Sequence, residues 1–144
     1  MVDVDWLLVV EDDPDHRVLL EEVLRRHWPG LGFHERPDVA TATRWLRKRK
    51  ADAGLDGGVL VVDVGLGGPS GFHLLEWMDD VDFEVPAVVL TASRNPMDAE
   101  HAFHLGAAGY FQKPADFGDY LDLLRQVLEP EPGDDEDEGT SDGA

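Results

Sequence analysis

Trp6 to Val10 is an unbroken apolar run bounded by acids, the pattern of a strand buried on both faces of a parallel sheet. From Asp15 to His27 the period changes to a helical one, with Val18, Leu20, Val23, Leu24 and His27 recurring along it until Pro29-Gly30 ends the helix. A weaker strand is predicted around Gly32 to Arg36. A helix comes next, from Asp38, its N-cap, to about Lys50, with Val39, Ala42, Trp45, Leu46 and Arg49 along one side.

Ala51 to Gly58 reads as a Gly/Asp loop and Val59 to Val62 as a second buried strand, ending at Asp63. Gly65 to Gly71 holds four glycines and Pro69, too many to sustain regular structure. A helix then carries Phe72, Leu75 and Met78. After Pro86 comes a third apolar run, Ala87 to Leu90, ending at Thr91. Asn95 and Pro96 cap and open a helix that Gly106 stops. Gly109 to Gln112 is a short last strand. Ala115 to Leu128 is a final helix with Phe117, Tyr120, Leu121, Leu124, Val127 and Leu128 on one stripe.

Five strands alternating with five helices predict an α/β domain, a (βα)5 doubly wound parallel five-stranded sheet of flavodoxin-like order, over residues 1–128. Residues 129–144 turn abruptly to Pro, Gly, Asp and Glu and are expected to form a disordered acidic tail. At 144 residues the chain fits one domain and leaves no room for a second.

Charge sharpens this picture. The formal net charge of −19 repels nucleic acid and anionic membranes, so neither is an expected partner. Eight of the acids lie from Glu129 onward, and without them 23 acids still face 12 bases, so the acidity belongs to the fold as well. Lysine occurs only at Lys48, Lys50 and Lys113, arginine nine times, and Asp outnumbers Glu. Such a surface resembles that of proteins from a salt-loving cytoplasm, where screening offsets self-repulsion. The chain has no cysteine, no signal-peptide pattern and no apolar run long enough to span a bilayer, so a cytoplasmic location is expected.

In an open parallel sheet the ligand crevice lies outside the carboxyl ends of the strands. The residues at those ends, one set per apolar run, are Glu11-Asp12-Asp13, Asp63, Thr91-Ala92 and Lys113-Pro114. Any one of these acids could merely cap the next helix, as Asp13 and Asp15 are expected to do around Pro14. Glu11, Asp12 and Asp63 together would repel one another in a partly buried crevice and call for a cation. Oxygen ligands without Cys or convergent His suit Mg²⁺. The proline after Lys113 drives that residue away from helical geometry, so its ammonium can reach toward the carboxylates.

The strings Leu-Val-Val-Glu11-Asp12-Asp-Pro-Asp, Val-Leu-Val-Val-Asp63, Val-Val-Leu-Thr91-Ala92 and Gly-Ala-Ala-Gly109-Tyr110-Phe-Gln-Lys113-Pro114, in this order and spacing, resemble the CheY-like response-regulator receiver domain of two-component signalling from Leu7 to Leu128. The resemblance implies that Asp63 is the phosphoacceptor. It implies that Asp12 binds Mg²⁺ directly, Glu11 mostly through water, and Asp63 and the Gly65 carbonyl complete the protein ligands. Thr91 would meet the phosphoryl group, Ala92 allow access, Lys113 pair with a phosphoryl oxygen and Tyr110 serve as the aromatic switch.

A sensor histidine kinase or histidine phosphotransfer protein is the implied donor, and the chain would catalyse only its own phosphorylation and dephosphorylation. The signal would leave by protein contact with a target, a downstream phosphotransfer protein or a second copy in a homodimer. Departures from the family pattern are Gly67, where a proline is usual, and the small residues Gly65 and Ser93 at positions that bear on phosphoryl lifetime.

The main alternative is a pseudo-receiver that keeps the fold as an interaction domain without phosphotransfer. A flavin or nucleotide module would need a Gly- or Ser-rich loop after the first strand, which here is acidic. A phosphatase of D-x-D type, matching Asp13-Pro14-Asp15, would need its nucleophile directly at the strand end. His101 and His104 lie one turn apart without a third metal ligand, and Trp6, Trp28, Trp45 and Trp77 are expected to serve packing.

Overall fold

The computed structural model describes residues 4–66, 70–114 and 116–129. Its elements are β1 (Trp6–Val10), α1 (Pro14–His27), β2 (Gly32–Arg36), α2 (Val39–Asp52), β3 (Gly58–Val62), α3 (Gly71–Asp80), β4 (Ala87–Thr91), α4 (Pro96–His104), β5 (Gly109–Gln112) and α5 (Phe117–Leu128). The sheet runs β2-β1-β3-β4-β5 with every pairing parallel. The strand order reverses at β1, which feeds β2 on one side and lies against β3 on the other, so the crevice opens between β1 and β3.

Alternate side chains of a strand point to opposite faces, and β1, β3 and β4 are buried on both. Leu8, Val10, Leu60, Val62 and Val89 pack with Ala42, Leu46, Leu74, Leu75 and Ala102 beneath α2, α3 and α4. Leu7, Val9, Val59, Val61 and Leu90 face the other way, onto Leu20, Val23 and Leu24 of α1 and Tyr120, Leu123 and Leu124 of α5. β2 and β5, at the two edges, are only half-buried apart from an exposed Gln112. That is why their sequences carry weaker apolar patterns.

Helix ends obey local chemistry. Asp13 Oδ1 accepts the Asp15 N–H at 2.9 Å with Pro14 in the first turn, and Asn95 Oδ1 accepts the Met97 N–H at 3.0 Å with Pro96 next to it. Asp13 is thus the cap, while Asp15 occupies the first turn, where its charge suits the helix dipole. Gly106, at φ +95°, ends α4 in the left-handed conformation that glycine tolerates.

Several expectations are corrected. Val18 is 65% exposed, because it lies about 200° around α1 from Leu20, and His27 is exposed as well. α2 runs on to Asp52, β3 begins one residue early at Gly58, and α5 starts at Phe117, where Asp116 caps it by accepting the Asp119 N–H at 2.9 Å. Ala115, the loop residues Gly67, Gly68 and Pro69, and the expected disordered tail from Pro130 lie outside the described residues.

α2 concentrates basic residues, Arg44, Arg47, Lys48, Arg49 and Lys50. Three of these cations rest on aromatic faces: Arg47 over Trp77 at 5.3 Å, Arg49 over Trp6 at 4.9 Å and Lys50 over Phe83 at 5.1 Å. The tryptophans therefore pack as expected, with Trp6 and Trp45 rings 5.3 Å apart.

α3 begins directly under the backbone that leaves β3. A methyl at Gly71 would stand 2.3 Å from the Asp63 carbonyl oxygen and 2.9 Å from Val64 Cα, both backbone atoms with nowhere to yield. Gly71→Ala should therefore destabilise the fold by about 1–3 kcal/mol despite the better helix propensity of alanine. Chemical denaturation should show a lower midpoint with an unchanged slope.

Candidate functional site

The strand register assembles the site. Val10 pairs with Val62, so the next residues, Glu11 and Asp63, emerge side by side, and the Asp63 N–H donates to the Val10 carbonyl at 3.0 Å. Thr91 ends β4 opposite Gln112 of β5, and the Lys113 N–H donates back to the Thr91 carbonyl at 2.8 Å. All the sequence-predicted positions at the strand ends, Glu11, Asp12, Asp63, Gly65, Thr91, Ala92 and Lys113, line one open cavity of roughly 450 Å³. Tyr110 sits apart from it on β5, half-buried against the α2–α4 side of the core.

Lys113 Nζ bridges Glu11 Oε1 at 2.7 Å and Asp63 Oδ2 at 2.9 Å. Exposures of 11% for the lysine side chain against 3% and 8% for the acids put all three charges in a poorly solvated place, where unpaired ionisation would be costly. The remaining carboxylate oxygens are held by the backbone: Gly65 N–H donates to Asp63 Oδ1 at 2.8 Å and Asp13 N–H to Glu11 Oε2 at 3.1 Å. Burial pushes the Glu11 carboxyl above its ordinary range, with the Lys113 hydrogen bond opposing. Burial alone would lower Lys113, but its bonds to Glu11 and Asp63 outweigh that and hold it raised.

Glu11, Asp12 and Asp63 each offer a carboxylate oxygen, and these lie within 4.8 Å of one another, close enough for one ion. An all-oxygen anionic donor set on a solvent-open cavity fits a hard divalent cation that keeps some of its water. Lys113 is then the resident cation with which any metal must share the carboxylates.

Sequence reasoning missed several neighbours. Ser70, Phe72 and Asp98 also line the cavity, beside Ser93, which the family pattern already marks. Arg17 donates to the Glu11 carbonyl at 2.6 Å, and His16 Nδ1 and Tyr120 Oη share a 2.8 Å hydrogen bond close to Asp13. Tyr120 is fully buried, and burial together with the Glu11, Asp63 and Asp13 charges raises its hydroxyl pKa. His101, considered as a metal ligand, instead stacks on Phe72 with ring centroids 4.3 Å apart. Among the described residues no helix is long and apolar enough to cross a membrane.

The response regulator receiver domain family matches residues 7–125. The heme response regulator HssR of Staphylococcus aureus (strain JH9) is 30% identical over 121 residues, covering 84% of this chain and 50% of that protein. The chain thus spans about half the length of the curated relatives it matches. Among solved structures, the phosphorylated cyanobacterial phytochrome response regulator RcpA aligns with TM-score 0.76 and 21% identity over 88% of this chain and 95% of that one. The Mn²⁺-bound form of response regulator Rcp1 gives 0.76 and 22% over 88% and 96%. A response regulator receiver domain from Rhodospirillum rubrum gives 0.71 and 22% over 85% and 89%.

Two outcomes are expected from this geometry. Lys113→Met leaves Glu11 and Asp63 facing each other, so the metal-free protein should lose about 2–3 kcal/mol, below the ~3–5 of a fully enclosed pair because the cavity is open and Glu11 can take up a proton. The same variant should bind Mn²⁺ more tightly by calorimetry, since the competing ammonium is gone.

The second outcome concerns pH. Because the Glu11 carboxyl is raised in the fold, its contribution to metal-free stability is fully present below its ordinary value of 4.5 and is lost as pH rises through the raised one. Divalent-ion affinity runs the opposite way, falling as pH drops through the raised value, and Glu11→Gln should flatten that dependence in Mn²⁺ titrations at several pH values.

Proposed function

The chain belongs to the response regulator receiver domain family of two-component systems, and from that premise we propose that it is a phosphorylation switch whose acceptor is Asp63. The observation that carries the reading is the Lys113 ammonium bridging Glu11 and Asp63 on a cavity open to a reaction partner. A structural ion pair alone would not call for a third, exposed carboxylate from Asp12 beside it.

The donor is a phosphohistidine on a sensor histidine kinase or histidine phosphotransfer protein. An Asp63 carboxylate oxygen attacks phosphorus in line, the P–N bond breaks and its electron pair stays with the imidazole. Through a loose transition state the protein's task is positioning and charge neutralisation. Gly65 N–H and Lys113 fix the Asp63 carboxylate for attack, and the Lys113 ammonium pairs with a phosphoryl oxygen as it transfers. Glu11, Asp12, Asp63 and the Gly65 carbonyl would hold a Mg²⁺ ion, which would supply further neutralisation of the phosphoryl oxygens.

Ala92 leaves the approach open, the Thr91 hydroxyl turns to the new phosphoryl group, and Tyr110 moves into the vacated space as a shift between two packings. Hydrolysis of the acyl phosphate resets Asp63, so the chain acts catalytically on itself alone. Its output in the cytoplasm is a protein contact, with a downstream target or a second copy, and the acidic field opposes a nucleic acid in that role.

Incubation with acetyl phosphate and Mg²⁺ in molar KCl should add one phosphoryl mass to the intact chain. EDTA and Asp63→Asn should each abolish the gain. An unmodified wild type under these conditions would overturn the switch in favour of a pseudo-receiver, and equal labelling of Asp63→Asn would move the acceptor elsewhere.

A further inference from the structure

Thr91 must move for the proposed switch to work, and what holds it still in the resting chain is not part of the phosphoryl chemistry. Its hydroxyl oxygen accepts the Ser93 N–H at 3.2 Å. Turning that hydroxyl toward Asp63 therefore means breaking or stretching a bond to the loop between β4 and α4.

Ser93 is itself tied on three more sides. Its hydroxyl donates to Asp98 Oδ2 in the first turn of α4. The same oxygen accepts the Asn95 N–H at 3.2 Å. Its carbonyl accepts from Gln112 Nε2 at the end of β5. Ser93 thus joins the loop to the next helix and to the strand that carries Tyr110.

Gln112 and Tyr110 are two residues apart on β5 and project from the same face of the strand. The Tyr110 hydroxyl is buried beside the Ser93 side chain. One polar cluster therefore adjoins both moving parts: the threonine through Ser93 and the tyrosine through its neighbour on β5. The Ser93–Asp98 contact is charge-assisted and stronger than a neutral hydrogen bond, and Asp98 is anchored by its own N–H, which donates to the Asn95 carbonyl at 3.0 Å.

We propose that Asp98 and Gln112 are positioning residues that latch Ser93, and through it Thr91, in the resting arrangement, so that the strength of this latch sets the resting balance between the two packings. The proposal rests on the switch reading of Asp63. A ligand shifts such a balance only by its differential contacts with the two states, and a latch present in one of them sets where the balance starts. Releasing Asp98 should shift the resting population toward the active packing by roughly ten-fold or more, the equilibrium worth of one charge-assisted hydrogen bond.

The chain has two tyrosines, Tyr110 and Tyr120. Uniform 3-fluorotyrosine labelling therefore gives two ¹⁹F resonances, assigned with Tyr110→Phe, and Tyr120 serves as an internal reference for an intact fold. In the unphosphorylated protein with Mg²⁺, Asp98→Ala and Gln112→Ala should move the Tyr110 resonance toward its position in the acetyl-phosphate-treated wild type. Phosphoryl gain should accelerate in step. Asp98→Asn, which keeps an acceptor for the Ser93 hydroxyl but gives up the charge, should shift less than Asp98→Ala.

A Tyr110 resonance and phosphorylation rate unchanged in both alanine variants, with the Tyr120 resonance in place, would overturn the latch while leaving the switch reading intact. A shift in Asp98→Asn as large as in Asp98→Ala would overturn it as well. If Asp98→Ala loses the Tyr120 reference through unfolding, the exposed Gln112→Ala decides by the same criterion. Absence of phosphoryl gain in wild type overturns the functional reading, and the latch that rests on it falls with it.

Discussion

Three carboxylates converge at the carboxyl edge of the sheet with oxygens no more than 4.8 Å apart, and the lone ammonium of Lys113 holds two of them together. Charges this close and this poorly hydrated cannot be left to relax. Every oxygen that the lysine does not reach on Glu11 and Asp63 is held by a backbone N–H, and those groups come from the residues just past each strand. The chemistry of the edge and the path of the backbone are therefore one constraint.

That constraint reaches into the fold. Pairing of Val10 with Val62 brings the acids side by side, while Gly71 allows α3 to start against the Asp63 carbonyl without a side chain between them. Arg17 of α1 closes on the Glu11 carbonyl, and fully buried Tyr120 of α5 meets His16 next to Asp13. Elements on both faces of the sheet thus end in contacts with the charged edge. A one-residue slip of β3 would carry its core-facing set to the wrong layer and Asp63 away from Lys113 together.

Much of this was legible in the chain. β1, β3 and β4 are buried on both faces and read as unbroken apolar runs, so their ends, and hence Glu11, Asp63 and Thr91, could be located. Lys113 was found because the proline after it restricts its backbone. Val18 was misplaced because its distance from Leu20 falls between the helical repeats, and the start of α5 because Asp116 could serve as cap or loop equally well. Asp98 and Gln112, the partners of Ser93, gave no signal: an acid in the first turn of α4 reads as an ordinary helix-favouring residue. The partnership of His16 with Tyr120 spans 104 positions and exists only in the folded chain.

Three cations of α2 lie on the rings of Trp77, Trp6 and Phe83. These charges are already counted in the chain's net charge of −19. The balancing charge must come from solution, and the molecule carries a diffuse cloud of small cations in which divalent species are over-represented relative to the bulk. The acidic edge of the sheet opens into that cloud, so it samples a local ionic medium that the rest of the molecule has already enriched.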